Sequence, residues 1–335
     1  NYVCSTGAPI WALEWCPLPS DTSSDQVVAV AVDSLDIPTD SNKAVAGRGV
    51  VQFWSLRDVK QEDSLTSNAD QCSAPDVSLW CCLAHDAGRV RSLAWCPENL
   101  SEQNQNKRLD SCLPRLGILA LACSNGTVQV FSVPQLDSLL AAHSEQSSSF
   151  SSSSMVLMVK PKASLSLELN SRPTYCGQCL ALAWQQGGHF RYIAAGYSTG
   201  MVVIWDLQNT SPLLSRSDSI MRPLRSFQLH GSSVISLAWC PQLPDLLASS
   251  SMDFTVCLTD VGRPAAIHAD KRQIQPSVFR SLRWAGPLYF GLLCGEESLS
   301  VSSECGMQYL GLCHMGLGRK MDSEFLIHNN TATTW

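Results

Sequence analysis

No stretch of this chain approaches the ~20 consecutive apolar residues of a membrane-spanning helix. Charge is sparse: Asp, Glu, Lys and Arg make up 16% of the residues and leave a net charge of −6. Bulk composition therefore predicts no strongly basic face for nucleic acid. The cations come in scattered pairs, Arg89 with Arg91, Lys107 with Arg108, Lys160 with Lys162, Lys271 with Arg272 and Arg319 with Lys320. Each pair reads as a solvated loop, and a composite basic rim on one face is the sharper alternative. Catalytic signatures are missing as well: no G-x-S-x-G, no Walker loop and no H-E-x-x-H occurs. GRGVVQ (47–52) is a turn rather than a phosphate loop, because no helix follows it. The chain opens on polar Asn1-Tyr2, with no starting Met and no signal-peptide pattern, and reads as a fragment.

What is present is a globular composition, 45% hydrophobic over 335 residues, enough to bury a sizeable core. Fifteen Cys, an odd number, include Cys16, Cys96, Cys123 and Cys240 inside or beside apolar runs. They read as buried, reduced thiols of an intracellular protein rather than a disulfide framework. CGQC (176–179) is the one C-x-x-C. Zinc would need a second pair or His ligands, and Cys81-Cys82 lacks that spacing. Redox chemistry would need a βαβ context that is missing. No metal, cofactor or small-molecule substrate is expected, and Cys179 reads as the opening of a core strand.

Ten Trp recur in a pattern. Five runs alternate small and apolar residues and end in Trp: IWALEW (10–15), VRSLAW (90–95), CLALAW (179–184), VISLAW (234–239) and FRSLRW (279–284). Three continue into Cys-Pro, at Cys16-Pro17, Cys96-Pro97 and Cys240-Pro241. Alternation over six residues predicts a strand with one face buried, and Pro ends it by withholding a donor. A second element follows each of the first four: AGRGVVQFWSL, LACSNGTVQVFSV, AAGYSTGMVVIWDL and ASSSMDFTVCLTDV. Aligned on the turn, Arg48, Asn125, Thr199 and Asp253 are equivalent, and six residues on stand Trp54, Phe131, Trp205 and Thr259. Gly49, Gly126 and Gly200 follow the turn position, where a hairpin favours positive φ.

This pattern resembles WD40 repeats, which implies an all-β fold of the β-propeller type. Trp205-Asp206 is the one intact Trp-Asp pair. Ala84-His85 and Leu229-His230 resemble the Gly-His that opens a repeat. In the family a His, a strand Ser, the turn Asp and the Trp form a hydrogen-bonded structural tetrad. The resemblance gives His230, Ser249 and Asp253 to the fourth blade, with Thr259 in place of its Trp, and leaves no copy complete.

A WD40 unit is ~40–45 residues. The spacing predicts one propeller over residues 8–335, with blades at about 8–56, 83–133, 176–207, 229–261 and 277–312 and the start of a sixth at 323–335. The natural chain is expected to continue past Trp335, to seven blades. Insertions are read at about Leu18 to Ala46, around a strand-like VVAVAV (27–32), at Glu98 to Pro114, and at Pro134 to Pro173. The last holds SSSFSSSS (147–154), a solvated inter-blade loop or a phosphorylation-controlled docking segment. MVLMVKPKASLSLEL (155–169) after it is read as the blade's outer strand, resumed.

PIWALEWCP (9–17), GVVQFWSL (49–56), PRLGILALACSNGTVQVFSVP (114–134) and CGQCLALAWQ…AAGYSTGMVVIWDL (176–207) are similar to the WD40 subunit family of transcription factor IIIC. That implies a nuclear, non-catalytic scaffold that contacts other subunits of the complex, reaches DNA indirectly and supports RNA polymerase III transcription of tRNA-type genes. The resemblance maps no partner-binding residue onto this chain. The alternatives are a propeller adaptor for histone tails or a ubiquitin ligase and, from another class, a metal- or thiol-dependent enzyme.

Overall fold

In the computed structural model the described residues are 4–17, 26–33, 46–57, 76–97, 115–135, 155–167, 177–186, 190–209, 220–262, 269–273, 279–285, 291–296 and 307–312. The Ser tract, Cys176, the proposed sixth blade and all of 98–114 lie outside them. The chain forms two compact units.

The first unit holds a five-stranded sheet of order β1-β2-β3-β4-β8. Its strands are β1 (Ile10–Trp15), β2 (Gln26–Val32), β3 (Gly49–Arg57) and β4 (Asp76–His85), joined by β8 described below. The second sheet places β5 (Val90–Trp95), β6 (Arg115–Cys123) and β7 (Val128–Pro134) side by side. Between the sheets lies a core of Val27, Ala29, Ala31, Val51 and Phe53 against Leu93, Trp95, Leu119 and Leu121. The Phe53 and Trp95 rings meet in a tilted contact, with centroids 6.1 Å apart. Val28, Val30 and Val32 point the other way and are buried with Val50, Trp54 and Leu56. Burial on both faces explains the unbroken apolar run of β2. It also corrects its placement: VVAVAV is the second strand of the first blade rather than part of an insertion.

The segment after the Ser tract splits. β8 (Met155–Met158) crosses to the first sheet and pairs parallel with β4, Cys81 opposite Met155 and Ala84 opposite Met158. β9 (Ala163–Leu165) then returns beside β7. The expectation of one resumed outer strand therefore holds for β9 and fails for β8.

The second unit repeats the plan. One sheet runs β10 (Cys179–Trp184), β11 (Tyr192–Tyr197), β12 (Met201–Asp206) and the outer strand β14 (Arg225–Gln228); the short β13 (Ile220–Met221) lies between β12 and β14 in sequence and is not one of its strands. The next is β15 (Val234–Trp239), β16 (Leu246–Ser251), β17 (Thr255–Asp260) and β18 (Ala269–Gln273). A three-stranded sheet of β19 (Phe279–Ala285), β20 (Gly291–Glu296) and β21 (Met307–Leu312) follows.

All five Trp-ended runs are thus first strands of sheets. Each carries the same register irregularity at its second residue, between Ile10 and Ala12, Val90 and Ser92, Cys179 and Ala181, Val234 and Ser236, and Phe279 and Ser281. A bulge there turns the strand and re-aims the residues after it.

Candidate functional site

The residues singled out from the repeats fall into three environments. The fourth blade builds a buried polar chain. His230 Nε2 lies 2.8 Å from Ser249 Oγ, and His230 Nδ1 lies 2.8 Å from Thr255 Oγ1. The Thr255 hydroxyl is bonded in turn to Asp253 Oδ1. A carboxylate only accepts, so Thr255 donates to Asp253 and accepts from His230 Nδ1–H. A ring carrying its proton on Nδ1 accepts at Nε2 from the Ser249 hydroxyl, whose alternative acceptor, the Cys257 carbonyl, is farther at 3.5 Å. Asp253 also receives N–H donors from Gly231 at 2.7 Å and Thr255 at 3.1 Å. The carboxylate thereby ties the β16–β17 turn to the segment entering β15. Thr255 is a member that the repeat pattern does not identify. Its signal is a hydroxyl two residues after the turn Asp.

At the next position of that turn the two glycine-bearing copies have φ of +83° at Gly126 and +84° at Gly200. The fourth blade places Phe254 there at +63°, in a region that costs a side-chain-bearing residue about 1–2 kcal/mol. Gly49 departs from the expectation: it shows no positive φ. It sits opposite His85 in the β3–β4 ladder. A Cβ on it would lie 2.2 Å from the Gly88 carbonyl oxygen and 2.5 Å from the His85 ring. Gly49 is needed for close approach rather than for handedness. Arg48 likewise stands at the start of a strand, because the first blade's second strand lies upstream at β2.

The third blade keeps the Trp without the network. The ladders Ile193 to Trp205 and Leu247 to Thr259 make Ala195 the counterpart of Ser249. Trp205 is fully buried, and its Nε1 has no partner among the described residues. Asp206 is buried and holds Arg191 in a two-pronged pair, Nε to Oδ1 at 2.7 Å and Nη2 to Oδ2 at 2.5 Å. The hydrogen bonds to Asp206 push the guanidinium pKa further up. In the second blade His85 meets Phe131 instead of a hydroxyl, with centroids 6.3 Å apart, and Nδ1 accepts the Ala87 N–H at 3.2 Å. Burial lowers the His85 pKa to about 4, against a smaller opposite pull from Asp86. Trp54 in the first blade donates to Gln52 Oε1 at 3.0 Å, and its ring covers the Val28–Val32 face. His85, Trp54, Trp205, Asp206 and the His230–Ser249–Asp253 set are therefore not one site. They are repeat positions distributed over three sheets.

A second recurrent contact involves the Trp that ends each first strand, which the sequence pattern marks without showing its role. Trp95 Nε1 donates to the Glu14 carbonyl, Trp239 Nε1 to Ala183 at 3.1 Å and Trp284 Nε1 to Ala238 at 3.0 Å. Each acceptor is the residue before the Trp of the preceding inner strand. Trp184 is answered within its own blade, by the Phe190 carbonyl at 2.9 Å.

His230 and Ser249 are buried, so the Ser-His-Asp composition cannot meet a substrate. Burial pushes the Cys16 and Cys81 thiols up to about 12, with smaller pushes from Glu14 and Cys82, and raises Cys123 as well. Such thiols are poor nucleophiles and poor metal ligands. Among the described residues no cluster of His, Cys, Asp or Glu is placed to hold a metal ion. The arrangement ties turns and strands together.

The WD domain, G-beta repeat family matches residues 221–260, the stretch that carries this polar chain. General transcription factor 3C polypeptide 2 of Homo sapiens is 32% identical over 322 residues, 93% of this chain and 33% of that protein. The chain is a WD40-repeat relative of that polypeptide. Transcription factor tau subunit sfc6 of Schizosaccharomyces pombe is 22% identical over 304 residues, covering 89% of this chain and 42% of that protein. Chaetomium thermophilum Sqt1, solved bound to the N-terminus of ribosomal protein L10, superposes with a TM-score of 0.51 and 16% identity, covering 90% of this chain and 59% of that one. That likeness concerns the fold, a WD40-type β-propeller. The chain spans about a third of the length of the first of these relatives. The relatives it matches over most of its length are transcription-factor subunits, which gives the metal- or thiol-dependent alternative no counterpart among them.

Proposed function

We propose that the chain is a non-catalytic scaffold of the transcription factor IIIC assembly. It acts in the nucleus by contacting other subunits of that complex, and it supports RNA polymerase III transcription of tRNA-type genes. DNA is reached through the complex, in keeping with a net charge of −6. The observation that carries this reading is the 32% identity that extends over 93% of the chain, well beyond any single repeat. The buried polar chains support it in a second way, since they fix loop positions rather than meet a substrate. One propeller over residues 8–335, with a 134–173 insertion, remains the proposed domain plan.

Affinity purification of the full-length protein from nuclear extract tests the proposal. Recovery of the other transcription factor IIIC subunits is the expected result. Recovery of cullin-type ligase components or histones in their place would move the protein to the adaptor class.

A further inference from the structure

Strand β8 is an addition to the blade plan. The two four-stranded sheets end on a single outer strand, β14 and β18, whereas the five-stranded first sheet carries β8 beyond its outer strand β4. Leu157 packs against the core of its unit. Val156 and Met158, two residues apart on the opposite face, are 61% and 77% exposed. Among the described residues no strand pairs with the outer edge of β8. An exposed edge of apolar, strand-forming residues is a template for another chain. Lys160 and Pro161 close the strand but do not interrupt it, and Lys160 and Lys162 are both exposed.

We propose that the outer edge of β8 is a docking site for an extended segment of a partner protein. That segment adds as a further strand, sets apolar side chains over Val156 and Met158, and places acidic residues beside Lys160 and Lys162. Main-chain hydrogen bonds along the edge supply affinity and the two flanking features supply selectivity. The lysines stand out on a protein whose net charge is −6, so an acidic segment is steered here and repelled elsewhere. A second copy is a poor occupant. Residues 150–162, FSSSSMVLMVKPK, contain no carboxylate to meet the lysines of another β8. This assignment does not depend on the transcription-complex reading, because it rests on the edge and its charges alone.

The test uses the full-length protein and short synthetic peptides of alternating valine and threonine. A run of glutamates is placed at either end, and lysine replaces glutamate in the controls. One of the two glutamate peptides should bind in roughly the micromolar range. The double substitution Lys160→Glu with Lys162→Glu should weaken it at least tenfold and create affinity for a lysine control. Met158→Lys should weaken both, with an unchanged denaturation midpoint. The proposal is overturned by no binding at millimolar peptide, or by glutamate-peptide binding that is indifferent to the charge reversal. Self-association of the protein that Met158→Lys abolishes would also overturn it, by giving the edge to a second copy.

Discussion

The indole N–H of Trp239 donates to the Ala183 carbonyl across 3.1 Å, linking two inner strands within one unit. Trp239 is 3% exposed, and the equivalent Trp15 is 49% exposed. Trp239→Phe leaves a partly buried carbonyl short of its donor and should cost about 1–2 kcal/mol. Trp15→Phe should stay within about 0.5 kcal/mol, because its half-exposed indole makes no such buried link. Chemical denaturation of the full-length protein compares the two. Equal effects would deny the contact its role.

His230→Ala and Asp253→Ala should each destabilise the protein by about 1–2 kcal/mol, as losses from a buried hydrogen-bonded chain. The double variant should fall short of the sum by at least about 0.5 kcal/mol, since both members act through Thr255. Additive losses would mean that the chain is two separate contacts.

Trp205 and Ser249 are complementary remnants, the third blade keeping the indole and the fourth the hydroxyl. Ala195→Ser restores an acceptor on the face that Trp205 shares. The expected gain is about 1 kcal/mol, the net worth of one hydrogen bond. A lowered midpoint would show that the tightly packed site cannot admit the oxygen.

Gly49→Ala should cost at least about 1–3 kcal/mol through overpacking against His85 and the Gly88 carbonyl. Removing the imidazole with His85→Ala should not rescue it, because the backbone oxygen remains. Full rescue would assign the constraint to the ring alone.

The lowered pKa of His85 ties stability to pH. Between its folded value, about 4, and the ordinary 6.5, the unfolded chain binds a proton that the folded chain refuses. Stability is therefore complete above 6.5, falls as pH drops toward 4, and levels off below. The loss from this group is on the order of 3 kcal/mol. His85→Asn keeps an acceptor for Ala87 and should flatten that part of the profile. An identical profile in the variant would place the titration elsewhere.

The five first strands are legible in the sequence because Trp marks their end and Pro stops three of them. The misplacement of β2 has a physical origin. A strand buried on both faces loses its alternation, and the turn alignment that works for Asn125, Thr199 and Asp253 fails where the second and third strands are far apart in sequence. The destination of β8 was not readable at all. Parallel pairing with β4 depends on which edge is open, and a period-two pattern is the same beside either neighbour. His85 and His230 look alike in sequence, yet one meets Phe131 and the other Ser249. The identity of the residue two strands away decides between a ring contact and a hydrogen bond.

The crossing of β8 has a consequence in time. During synthesis the first sheet can form through β4 as soon as His85 emerges, but its edge stays unclaimed until Met155 follows, after β5, β6 and β7. Domains assemble as the chain leaves the ribosome, N-terminal parts first. The nascent first blade therefore exposes β4 as a bare border for about seventy residues of elongation, roughly 4–14 seconds at typical rates. β8 then arrives as a late latch, and whatever occupies β4 before it, chaperone or neighbour, must leave for the sheet to be finished.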